Sequence, residues 1–144
     1  MLKKTDLPIM NALIENSPMA IIVFDMNGNV IEWNPAAEHI FGWTKEEIIG
    51  KPNPIVPEDK QDEYISLKGQ VEEGKPYSGK NLLRKRKDGT PVYINMSSAL
   101  LYDEKGNKIG LVGIAEDITE HKKADEALSE SRKFLETIIE TAPT

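Results

Sequence analysis

Apolar positions recur along this chain first at helical spacing, then at every second residue, and finally in heptads. Ile9, Met10, Leu13 and Ile14 share one stripe behind Asp6 and Pro8, which predicts an amphipathic helix over residues 6–16 with Asp6 as its cap. Ser17-Pro18 ends it, because the residue before a proline is pushed out of the helical region. Residues 19–25 are a β-branched run of strand length, Asn27-Gly28 suits the positive φ angles of a tight turn, and 29–33 resume as a strand. A hairpin is expected there. Asn34-Pro35 supplies a cap and a proline at the first helical position; Ala36, Ala37, Ile40 and Phe41 form that helix's apolar face and Gly42 stops it. Thr44 and Glu47 make a capping box for a short helix carrying Ile48 and Ile49. The prolines over 52–57 argue against regular structure, and 58–73 reads as a longer helix with Tyr64, Leu67 and Val71 on one side.

Period two then dominates. Strand-length segments run over 77–86, 92–102 and 108–118, joined by Asp88-Gly89 and by residues 103–107. Val92, Ile94, Met96, Ser98 and Leu100 alternate with Tyr93, Asn95, Ser97, Ala99 and Leu101, as in a sheet with two distinct faces. Two strands, three helical pieces and three strands predict an α+β domain with a five-stranded antiparallel sheet. Beyond Asp117 heptads take over. His121, Leu128, Leu135 and Ala142 fall at one seam position and Ala124, Ser131 and Ile138 at the other, flanked by Ala127, Phe134 and Ile139. His121 and Ser131 soften that seam, so a parallel coiled coil and a single docked amphipathic helix both fit. The coiled coil is favoured, because the helix projects past a finished domain.

Composition removes whole classes of chemistry. The 144 residues include no cysteine, which excludes disulfides, thiol catalysis and Cys-ligated metals. No window approaches the run of about 18 apolar residues of a membrane span, and the first residues lack the apolar stretch of a secretory signal, so a cytoplasmic location is expected. A net charge of -6 argues against nucleic acid and anionic lipid as partners. Arg84-Lys85-Arg86-Lys87 runs against that balance; it reads first as a solvated strand end, with an anion site as the lesser alternative. No Ser-His-Asp order, phosphate loop or HExxH motif is present, and the pairs Glu46-Glu47 and Glu72-Glu73 sit side by side on helices, pointing apart. No catalytic residue is expected. His39 reads as a partly exposed structural histidine and His121 as a surface residue, and two distant histidines without cysteine make no zinc site. Residues 13–18 and 138–143 share an apolar pair, Glu, two small residues and Pro at a constant offset, as if a second, similar module began near the end.

Five segments in order resemble the PAS family: 16–25 as an opening strand, 28–37 as second strand and first helix, and 41–51 as the segment that follows. Arg86 to Tyr93 is similar to a PAS hairpin, and Gly113 to Thr119, with its Asp117-Ile118-Thr119, to the family's ending. The resemblance implies a profilin-like fold with helices on one sheet face, flanked by an N-terminal helix (1–16) and a C-terminal signalling helix (120–141) around a core at 17–119, with 142–144 starting a possible further module. It also implies a sensory and relay role in a multidomain protein, with a histidine kinase as the expected output and a cyclic-dinucleotide enzyme as an alternative. Homodimerisation through the terminal helices is the expected partnership, with a downstream PAS or kinase domain in the same chain.

Tested against that resemblance, flavin-thiol photochemistry is excluded by the missing cysteine. The family's haem-ligating position falls on the 58–73 helix at Gln61, not on a histidine, which argues against haem. A small organic ligand remains, in a pocket expected from Asn34, Ile40, Phe41, Ile48, Tyr64, Leu67, Ile94, Met96, Ser98 and Ile114, against a ligand-free dimerisation domain as the competitor. Asn34, Tyr64, Asn95 and Ser98 are the candidate polar groups, the last two exchanging faces if the register slips by one. Asp117 and Thr119, between last strand and output helix, are the expected relay.

Overall fold

The computed structural model describes residues 7–141. Asp6, Ala142 and Pro143, and with them segments 1–6 and 142–144, lie outside the described residues. After α1 (Leu7–Asn16) come β1 (Ala20–Asp25) and β2 (Val30–Trp33), joined by a turn with Gly28 at φ 85°. Asp25 closes that turn by accepting the Asn27 and Asn29 N–H groups. In α2 (Pro35–Phe41) the Asn34 side chain caps Ala37 N–H, and Gly42 at φ 82° returns its own N–H to Glu38 O, a left-handed stop that glycine takes without strain. Both halves of the capping box hold α3 (Lys45–Ile48). The helix expected over 58–73 opens instead as a 3-10 turn (Glu58–Lys60), whose N-cap Pro57 supplies no side-chain cap, before α4 (Gln61–Glu72) winds normally. Then β3 (Tyr77–Lys85), β4 (Pro91–Tyr102) and β5 (Lys108–Asp117) lead into α5 (Thr119–Thr141).

The strands form one antiparallel sheet in the order β2-β1-β5-β4-β3. First and last strands are neighbours, so the chain between them must cross the sheet, and α2, α3 and α4 do so on one face. Ala20, Ile22 and Phe24 of β1 and Val92, Ile94 and Met96 of β4 are buried beneath Ala37, Ile40, Phe41, Ile48 and Leu67. Trp33 and Phe41 meet with ring centroids 5.6 Å apart. Burying such a side chain contributes about 1.5–3 kcal/mol each, which makes this layer the main source of stability. The proline-rich connector adds to it: Ile55 and Val56 are buried, and Ile55 O accepts Lys85 N–H at 2.8 Å, pinning an irregular segment to β3.

The terminal helices are built differently. No residue of α1 is buried, and Ile9, Met10 and Leu13 are exposed. In α5 every residue from Glu120 to Glu140 is exposed, Leu128, Phe134, Leu135, Ile138 and Ile139 included. The alternative of a helix docked on its own domain is therefore not the arrangement of this chain.

Candidate functional site

Between α4, the connector and the inner sheet face lies a cavity of about 40 Å³. Its apolar wall is Phe24, Ile55, Leu67, Val71, Met96 and Leu111, and its polar groups are Asn53, Tyr64, Lys68, Tyr77, Arg84 and Ser98. At roughly 10–15 Å³ per water, the space suits a few waters or a ligand of a few heavy atoms. The lining Met96 packs against Gly113, where a Cβ would meet its Cε at 2.4 Å.

Arg84 departs from the expectation of a solvated strand end. It is 2% exposed, and its Nη1 donates to Glu63 Oε1 at 2.8 Å and to Leu83 O at 2.9 Å. The reason is register: Arg84 pairs with Val92 and follows Leu82 on the inner face of β3, beneath α4, which supplies Glu63. Its neighbours in the run diverge, with Arg86 bonding Ile40 O and Pro91 O and Lys87 reaching Glu47 from the surface. Tyr77 reaches the cavity through a bulge: Tyr77 faces Ser98 but Lys80 faces Met96, an extra residue that Gly79 absorbs at φ 67°. Burial pushes the Tyr77 hydroxyl up, against the opposing pull of the Arg84 charge and a hydrogen bond with Ser98. Ser98 Oγ donates to Val112 O at 3.0 Å, and Lys68 Nζ lies 3.5 Å from Glu72 Oε1.

Of the pocket residues expected from sequence, Tyr64, Leu67, Met96 and Ser98 come together here. Ile40, Phe41, Ile48 and Ile94 are buried in the core outside the cavity wall. Asn34 is fully buried as a tie between elements, accepting from Ile21 N–H at 2.9 Å and Ala37 N–H at 3.0 Å and donating to Ile14 O and Met19 O at 3.0 Å each. Ile114 projects from the opposite sheet face, 38% exposed, because Leu111, Gly113 and Ala115 take the inner positions of β5. Asn95 also lies on that side, bonded to Asn81. Gln61 is exposed and donates to Val56 O, away from the cavity, and His39 and His121 are exposed on α2 and α5. Sequence reasoning passed over Phe24, Asn53, Ile55, Lys68, Val71, Tyr77, Arg84 and Leu111. The alternation around Leu82 and Arg84 was the one available signal for Arg84; nothing local reveals the bulge that turns Tyr77 inward.

Asp117 and Thr119 form a joint where β5 becomes α5. Thr119 is buried, and its Oγ1 accepts Tyr93 N–H at 3.1 Å, while Ile118 N–H donates to Tyr93 O at 2.9 Å. Asp117 Oδ1 accepts Thr119 N–H at 2.9 Å and its Oδ2 lies 3.6 Å from Arg86 Nη2. Both backbone groups of Tyr93 in β4 are thereby tied to the start of α5.

The architecture is a sheet wrapped over a crossing layer of helices, with a small cavity between them and an exposed terminal helix beyond. A family model described as the PAS fold matches residues 9–118, and the chain belongs to the PAS family. The sensor protein FixL of Bradyrhizobium diazoefficiens is 29% identical over 131 residues, covering 88% of this chain and 26% of that protein. The signal transduction histidine-protein kinase AtoS of Escherichia coli is 25% identical over 122 residues, covering 85% and 20%. The chain thus spans about a quarter or less of the length of these relatives. Among solved structures, the PAS domain of a protein from Colwellia psychrerythraea matches at a TM-score of 0.72 and 29% identity, covering 79% of this chain and 98% of that one. An RNA-binding Light-Oxygen-Voltage receptor matches at 0.75 and 19% identity, covering 92% and 39%, a likeness of fold alone. The chain is a PAS module similar to those of signal-transduction proteins. Among the described residues, no helix is long and apolar enough to cross a membrane.

Proposed function

We propose that this module converts occupancy of its α4-to-sheet cavity by a small organic ligand into a change in the direction and pairing of α5. One observation carries the reading: β4 serves both ends. Met96 and Ser98 line the cavity, and Tyr93, about 10 Å along the same strand, holds Thr119 and Ile118 at the root of α5. A shift of β4 under a ligand moves both backbone ties together and re-aims the helix. Leu128, Leu135 and Ile138 then form a seam with a second copy, in a cytoplasmic homodimer whose downstream domain is a histidine kinase or another PAS module. The segment itself performs no catalysis, and neither flavin-thiol nor haem chemistry enters. A second reading, a ligand-free dimerisation domain, draws on the same exposed α5 stripe and on the small volume of the cavity.

Native mass spectrometry separates the two. A dimer carrying a retained small mass is expected; a dimer of bare polypeptide favours the second reading. In the full-length protein, Asp117→Ala and Thr119→Ala should each abolish the response to ligand while leaving the fold intact. A wild-type response in both variants would sink the relay.

A further inference from the structure

We propose that the cavity takes a short aliphatic carboxylate, held head-first on Arg84. This rests on the reading of the cavity as a ligand site and adds the chemical class of the ligand. Arg84 carries the argument. Its side chain is 3% exposed, yet only Nη1 is engaged, by Glu63 and Leu83; Nε and Nη2 meet no acceptor among the described residues. Every nitrogen of a guanidinium donates, and since Arg84 lines the cavity and its Nε and Nη2 are not among the sealed, partnerless groups of the described residues, both keep donor capacity for a group that enters there. Nε and Nη2 form a fork whose spacing matches the two oxygens of a carboxylate.

The surroundings narrow the class. The Tyr77 hydroxyl, opposite Ser98 in register, and Tyr64 stand in the same cavity and add donors beside the fork. Leu67, Val71, Met96 and Leu111 offer hydrocarbon on the remaining sides. Bare inorganic anions leave that wall unused, and neutral amides leave the fork half-matched. Charge favours a monoanion: Glu63 already balances Arg84, so a ligand adds one negative charge. Lys68 on the cavity wall, in a long 3.5 Å pair with Glu72, supplies the compensating cation. A cavity of about 40 Å³ limits the chain to a few carbons.

Calorimetric titration of the purified protein with butyrate, butyramide and inorganic phosphate tests this. Butyrate should bind, butyramide at least about tenfold more weakly, and phosphate not at all. Arg84→Lys keeps the charge but loses the fork, and should lose butyrate binding. Should that variant fail to fold, Tyr77→Phe reports instead, with butyrate weakened by about threefold to tenfold. Equal binding of butyrate and butyramide overturns the carboxylate assignment, as does a wild-type protein that ignores butyrate, or unchanged butyrate affinity in Arg84→Lys. Failure of the broader cavity reading shows elsewhere, as the absence of any retained small molecule in native mass spectra.

Discussion

Thr119→Val probes the joint between domain and output helix with the smallest change of shape. The side chain is 6% exposed, and its hydroxyl is the acceptor of Tyr93 N–H at 3.1 Å. Valine keeps the volume and the β-branching but leaves that N–H without an acceptor, a loss worth about 1–3 kcal/mol. The bonds from Ile118 N–H to Tyr93 O and from Thr119 N–H to Asp117 need no hydroxyl and persist. The expected cost is therefore about 1–2 kcal/mol, confined to the joint, with the hydrophobic layer untouched. Urea unfolding should show a lower midpoint at unchanged slope. Amide exchange should locate the damage: Tyr93 N–H and the first turn of α5 should exchange about tenfold faster for each 1.4 kcal/mol lost locally, while β1 exchanges as before. Asp117→Ala should cost less stability, about 1 kcal/mol at most, because that carboxylate is partly exposed and acts as a cap. A Thr119→Val protein with wild-type midpoint and wild-type exchange at Tyr93 would refute the claim that this hydroxyl fastens α5 to β4.

Three further outcomes are expected. Asn34→Ala removes four hydrogen bonds at a fully buried position and should cost about 3 kcal/mol in chemical denaturation; Asn34→Asp keeps the oxygen that accepts Ile21 and Ala37 N–H but sets a carboxylate against Ile14 O and Met19 O, so its deficit should shrink as pH falls and the acid can donate again. Gly113→Ala should push the Met96 methyl into the cavity at a stability change below about 1 kcal/mol, and unchanged ligand occupancy by native mass spectrometry would show that Met96 does not bound the site. Glu47 is held at about 2, below its ordinary 4.5, first by the Lys87 ammonium and then by Thr44 N–H and hydroxyl. Its contribution is therefore present above about 4.5 and lost as pH falls toward 2. Carboxyl titration by NMR should show the Glu47 value moving back up in Lys87→Met, and no movement would mean that Lys87 does not hold it.

How far the fold could be read in advance depended on how local its causes are. Asn34-Pro35, the box of Thr44 with Glu47 and the glycines at 28 and 42 act within a few residues, and the structure realises each where spacing placed it. The alternation of Val92, Ile94 and Met96 likewise became the buried face of β4. Pocket membership was far less legible. Ile40 and Phe41 have the right character and the right face, yet the cavity opens further along the sheet, under α4. Ile55 sits in a segment with no periodicity at all, and its burial follows from a backbone bond to Lys85 that no local pattern encodes.

Local chemistry along the chain set the elements, their caps and turns, the two-faced strands and the amphipathic stripe of α5, because each rests on spacing, side-chain shape or φ preference within a turn or two. Assembly in three dimensions settled which side chains share the cavity. A bulge at Gly79 reverses the parity that would have sent Tyr77 outward. Arg84, one member of an ordinary basic run, became a buried donor because its strand position lies under α4 and within reach of Glu63. Burial and pairing are properties of neighbours distant in sequence, and those neighbours turned a charged strand end into the polar head of a cavity.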